Sequence, residues 1–126
     1  VIYGDTNSTV AFAGTNEATL FGSNIFENLC MTSDVKTVRF EAGKTNIINR
    51  LLACRNTTML STSNDVWWYL NLDMATGSQE VRQVTVKDSN ASGGQKIITK
   101  GFNSCNLGNN ANWLFTADTG FLLMIK

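Results

Sequence analysis

From Val66 to Met74 the chain alternates strictly. Val66, Trp68, Leu70, Leu72 and Met74 fall on one side, and Trp67, Tyr69, Asn71 and Asp73 fall on the other. A period of two is the signature of a β-strand with one face in a core. Shorter β-branched and aromatic runs predict further strands at Thr9–Ala13, Val35–Phe40, Val81–Lys87, Lys96–Phe102, Asn112–Ala117 and Phe121–Ile125. Clusters of Gly, Asn, Ser, Thr and Asp separate them, as turns separate strands.

One stretch departs from this rhythm. Ile47, Ile48, Leu51 and Leu52 follow a helical spacing behind a capping Thr45 or Asn46, which predicts a short helix over Thr45–Ala53. Ser23–Cys30 is a second, weaker helical candidate. No linker, composition break or repeat of fixed period divides the chain. Together the patterns predict an all-β chain, folded as a single-domain β-sandwich or jelly-roll-like structure of about seven strands with one short helix, with residues 1–126 as one domain.

Composition supports one packed core. The chain has 126 residues, of which 43% are hydrophobic, enough to bury roughly two thirds of the unfolded surface. Proline is absent, so the turns rely on other residues, and ten Gly with the many Asn can meet any positive-φ requirement. Ten basic residues balance ten acidic ones. The basic stretch Lys36, Arg39, Lys44, Arg50 and Arg55 is interleaved with Asp34 and Glu41, so it reads as a solvated mixed-charge surface, and no nucleic-acid partner is expected. The longest apolar run, Phe121–Ile125, is far too short to span a bilayer, so no membrane insertion is expected. The opening Val1-Ile2-Tyr3 reads as a processed start and points to a secreted or extracellular protein.

Cys30, Cys54 and Cys105 have no Cys-x-x-Cys spacing, which argues against a zinc or redox motif. In an oxidising setting one disulfide plus a third thiol is expected; in a reducing one, three small core residues. The sequons at Asn7, Asn56 and Asn90 are no more than chance would supply.

The chain contains no histidine, so Ser/His and Cys/His nucleophilic systems cannot be built. Asp65, Asp73 and Glu80 are the nearest carboxylates that could pair for glycoside hydrolysis, and they read better as solvated turn and edge charges. Ala117-Asp118-Thr119-Gly120 resembles the Asp-Thr-Gly of aspartic proteases over four residues, but six residues follow it, and a hairpin turn is the better reading. Asn110–Phe115 is similar to the Gln-x-Trp segment of ricin-type lectins, with Asn where Gln should stand and without that family's repeated copies, so Trp113 reads as a core anchor. Gly93-Gly94 lacks the Lys-Ser/Thr ending of a phosphate loop and reads as a flexible connection, and no calcium-loop spacing is present.

The outer side of the Val66–Met74 strand carries the strongest candidate chemistry. Trp67 and Tyr69 can stack on sugar rings while Asn71 and Asp73 exchange hydrogen bonds with hydroxyls; the competing reading buries the two rings in a second core or an interface. The sequence therefore predicts a non-catalytic, lectin-like or adhesive module with Trp67, Tyr69, Asn71 and Asp73 as ligand-binding residues. No catalytic residue, metal or cofactor is expected. The partner is a glycan or other surface ligand. The alternative is a self-assembling subunit of a coat, pilus or filament, a homo-oligomer built on edge strands such as Thr9–Ala13 and Phe121–Ile125.

Overall fold

A computed structural model describes residues 8–14, 16–32, 36–101 and 103–116. The strands are β1 (Thr9–Ala11), β2 (Ala18–Leu20), β3 (Asn24–Met31), β4 (Lys36–Phe40), β5 (Thr45–Ser61), β6 (Trp68–Leu72), β7 (Ser78–Val86), β8 (Ser89–Asn90), β9 (Ile97–Thr99), β10 (Cys105–Asn106) and β11 (Trp113–Phe115). The chain is all-β. Among the described residues no helix is long and apolar enough to cross a membrane.

Every strand pairing among the described residues is parallel. Parallel neighbours cannot be joined by a hairpin, so the chain must make a full circuit before it lies beside itself. The result is a β-solenoid, and this corrects the expected sandwich or jelly roll. A first ladder stacks the start of β3 on the start of β5, then β6 and β8. A second stacks β1, the end of β3, the middle of β5 and β7, and an Arg82–Lys100 bridge carries it toward β9 and β11. A third stacks β2, β4, the end of β5, the end of β7 and β10. Each coil contributes to three sides.

Repetition is therefore present although no fixed period is. One rung separates Leu51 from Ser78, 27 residues on, while another separates Ile97 from Trp113, 16 residues on. Corners of different length absorb the difference, and an unequal period leaves no self-similarity to read.

Both predicted helices are strands. In β5 the inward residues are Asn46 and Ile48, then Leu52 and Cys54, then Thr57, Met59 and Ser61. Ile48 and Leu52 point inward on either side of a corner at Asn49–Arg50, while Ile47 and Leu51 are half-buried on the outer side, so two apolar doublets four residues apart imitate helical spacing. Ser23–Cys30 falls mainly in β3, where Asn24, Phe26, Leu29 and Met31 are buried. The other predicted strands survive with shifted ends, except that Phe121–Ile125 and the Ala117–Gly120 turn lie outside the described residues.

Inside, equivalent positions on successive coils stack on one another. Phe26, Ile48 and Leu72 form one column, Met31, Cys54 and Val81 a second, and Val38, Met59 and Val86 a third. Phe40 and Trp68 stack with ring centroids 3.9 Å apart and planes 7° from parallel. Polar residues obey the same rule: buried Asn24 donates through Nδ2 to Asn46 Oδ1 at 3.0 Å. That side-chain ladder satisfies amide atoms that burial would otherwise leave without partners.

Gly93-Gly94, expected to be flexible, is pinned. The Gly94 N–H donates to Ala91 O, the Gln95 N–H to Leu72 O at 2.9 Å, and the Gln95 side chain to Asp73 O and Gly77 O. A Cβ on Gly94 would sit 2.3 Å from Leu72 O and 2.6 Å from Leu72 N, both backbone atoms that cannot swing aside. Gly94→Ala is expected to lower stability by about 1–3 kcal/mol, the usual cost of overpacking. The denaturant midpoint measures it, and an unchanged midpoint would show that this corner yields freely.

The three cysteines are free thiols. Cys54 points inward, whereas Cys30, paired in register with Ala53, faces out. Adjacent rungs thus place the two thiols on opposite sides of one sheet, and the expected disulfide is not formed. Burial, then the neighbouring Cys30, pushes the Cys54 thiol far above its ordinary range, and burial also raises Cys30. Native protein treated with a thiol reagent is expected to modify exposed Cys105 first and Cys54 only on unfolding. Fast labelling of Cys54 would contradict this packing.

Candidate functional site

β6 begins at Trp68, so Trp67 and Asp73 flank the strand, yet all four predicted residues lie on its outer side. Trp68, Leu70 and Leu72 point into the core, while Val66 and Met74, expected on that inner face, are exposed. The first ladder ends its inward run at Leu72 because the chain turns there around Asp73.

Trp67 is 38% exposed and Tyr69 is half-buried. Their rings meet edge to face, with centroids 6.2 Å apart and planes at 73°. The Trp67 indole N–H donates to Asn109 O at 3.0 Å, which fixes the ring against the next coil. These two rings, with Gly43, Asp65, Val66 and Asn109, line a shallow open depression. Gly43 has a φ of 79° and no side chain over that surface.

Asn71 and Asp73 line a neighbouring depression with Ile47, Met74, Ala75 and Gly93. Hence one strand face carries two adjoining sites, aromatic and amide-acid. Asp73 Oδ1 accepts the N–H groups of Ala75 and Thr76, each at 2.8 Å. Those hydrogen bonds, that of Thr76 first, hold its carboxyl below the usual range.

Two residues lining the Trp67 depression, Asp65 and Asn109, are held by Asp88, a buried acid with a φ of 61°. Its Oδ2 accepts the Asp65 N–H at 3.0 Å and Lys87 Nζ at 3.1 Å, and its Oδ1 accepts Asn109 Nδ2 at 2.8 Å. Burial pushes the Asp88 pKa up, but the hydrogen bonds from Asn109, Lys87 and Asp65, with the Lys87 charge, outweigh it and hold the carboxyl below its ordinary value. Lys87 also pairs with Asp65 Oδ1 at 2.8 Å, and that hydrogen bond is the main reason its own pKa is raised.

The three carboxylates considered for pairing are dispersed. Asp65 sits at the Lys87 corner, Asp73 caps a turn beyond β6, and Glu80 lies outward on the second ladder. Sequence reasoning missed Gly43, Val66 and Asn109 as site residues and Asp88 as their support. A partial signal existed in Gly108-Asn109-Asn110, because Asn is a preferred positive-φ corner residue and Asn109 has a φ of 57°. No protein family, curated protein or solved structure matches the chain.

Proposed function

We propose that this chain is a non-catalytic, extracellular binding module that holds a glycan against the outer face of its first ladder. One observation carries the reading: Trp67 and Tyr69 form an edge-to-face pair on that face, with the indole already fixed by Asn109. A ring whose position is set before binding loses little freedom when a sugar stacks on it. The amides of Asn71 and Asn109 flank the rings and offer hydrogen bonds to hydroxyls.

A glycan array probed with wild type and Trp67→Ala tests this. The variant is expected to bind on the order of tenfold more weakly, the scale of one aromatic anchor, with its fold intact. Undiminished binding would refute the assigned face, and a wild type that binds no glycan would refute the class.

Self-assembly is the second reading, and it draws on the sheet edges. β1 and β2 terminate the main strand order, each pairing with a single strand among the described residues. Their free edges could accept a strand from a second copy. A monomer that persists at all concentrations in sedimentation would remove this reading.

A further inference from the structure

Beyond the two aromatic rings, the outer face of β6 continues into a depression built around one amide. Asn71 stands in register with Ile47 on the preceding coil, and Ile47 with Ile25 on the one before it, so a half-buried apolar column borders the amide on that side. Gly93, on the following coil, borders it on the other, and the fit there is close. A Cβ on Gly93 would fall 2.5 Å from Asn71 Oδ1, 2.6 Å from Nδ2 and 2.7 Å from Cγ. The Asn71 amide thus occupies the space that a side chain at residue 93 would need. Gly93 does not have a left-handed φ, so backbone strain is not what calls for glycine there. The room left for Asn71 is what separates it from alanine.

The depression offers two polar groups and an apolar wall. Among the described residues none hydrogen-bonds the Asn71 side chain. Asp73 lines the same depression and is fixed by the N–H groups of Ala75 and Thr76. Residues two apart on one strand face lie about 7 Å from each other. A trans secondary amide presents its N–H and C=O on opposite sides. Placed between these two side chains, an acetamido group gives its N–H to the Asp73 carboxylate while its carbonyl accepts from Asn71 Nδ2. Its methyl group then points down onto Ile47, Met74 and Ala75, which line the depression. Met74 is 73% exposed and has the freedom to close over it. A hydroxyl in that place would leave the apolar wall uncovered.

We propose that this depression selects an N-acetylated hexosamine, its acetamido group seated between Asn71 and Asp73 while the same glycan stacks on Trp67 and Tyr69. The inference rests on the glycan-binding reading of this face and names its ligand class. Tyr69 and Asn71 are two residues apart on one strand, so the two depressions adjoin within reach of one disaccharide. Gly93 is a positioning residue that acts through Asn71, by keeping open the place of its amide.

The test is calorimetric titration of the whole chain with matched oligosaccharides that differ by acetamido against hydroxyl: chitotriose with cellotriose, and N-acetyllactosamine with lactose. Wild type is expected to bind the acetamido member of at least one pair on the order of tenfold more tightly, from one hydrogen bond and one covered methyl group. Asn71→Ala is expected to remove most of that preference. Gly93→Ala, whose added methyl displaces the Asn71 amide, should do the same with an unchanged melting temperature, because its nearest obstacle is a side chain that can swing aside. If Gly93→Ala fails to fold, Asn71→Ala alone decides. Trp67→Ala should weaken both members of a pair alike and leave the preference in place. A wild type without the preference, or a preference that survives Asn71→Ala, overturns the inference. If binding in that case still falls with Trp67→Ala, the glycan reading stands without it. A wild type that binds neither member of either pair also overturns the inference, and a glycan array then decides the broader reading on its own.

Discussion

Trp68→Ala is expected to destabilise the fold by about 3–5 kcal/mol, the range for truncating a buried aromatic side chain. Trp68 has no exposed surface, stacks on Phe40 at 3.9 Å and donates its indole N–H to Lys87 O at 3.0 Å. Truncation would open a cavity between two sides of the solenoid and leave the half-buried Lys87 carbonyl without the indole donor. Coils in a solenoid contact chiefly their neighbours, so the damage should concentrate near β4, β6 and β8. Hydrogen exchange should show faster opening there than at β1. The adjacent Trp67→Ala serves as control, because a partly exposed ring on the outer face should cost far less stability. Equal losses for the two variants would mean that the inward and outward assignments of this strand are wrong.

Asp88→Ala should cost about 3 kcal/mol near neutral pH, since it removes a buried acceptor from three donors at once. The Asp65 N–H and the Asn109 amide would lose their partner, and the Lys87 ammonium would lose one of its acceptors while keeping Asp65 and Asn64. The pH dependence follows from the direction of the shift. Asp88 has a folded pKa below its unfolded one, so its contribution is present above the ordinary carboxylate range and is lost as pH falls through the folded value. Asp73 acts in the same sense. Lys87 is raised, so its contribution is complete below the ordinary lysine range and is lost as pH climbs through its folded value. Urea melts across pH should therefore give a plateau near neutrality with an acid-side fall, and the gap between wild type and Asp88→Ala should narrow at low pH. A gap that stays constant into acid would show that the carboxylate charge contributes nothing.

The outer face at Trp67 was legible because alternation separates core from surface without any knowledge of neighbours, although it holds only over Trp68–Leu72 and fails at Val66 and Met74, which are exposed. Much of the rest was not. Ile47, Ile48, Leu51 and Leu52 look helical until the corner at Asn49–Arg50 is known, because the turn drops one inward position and the chain carries apolar residues on both faces beside it. Arg55 was legible as one of a run of mixed charges, yet its neighbours in register are Arg82 and, beyond it, Lys100, 27 and 18 residues apart along the chain. No local pattern could reveal that alignment.

What the sequence determined by itself was the class of structure and the chemistry available. Period-two runs and turn-forming Asn and Gly specify strands and corners, and a chain without histidine has no imidazole to offer. Which strands meet, and in which direction, was decided only by the tertiary structure. Parallel and antiparallel pairing bury the same alternating faces, and hydrophobic patterning is blind to the difference. The choice rests on register summed over whole coils, where the Asn24–Asn46 amide ladder and the Phe40–Trp68 stack become possible together. That register also assembled the Trp67 platform against Asn109 and drew three distant cations into one column.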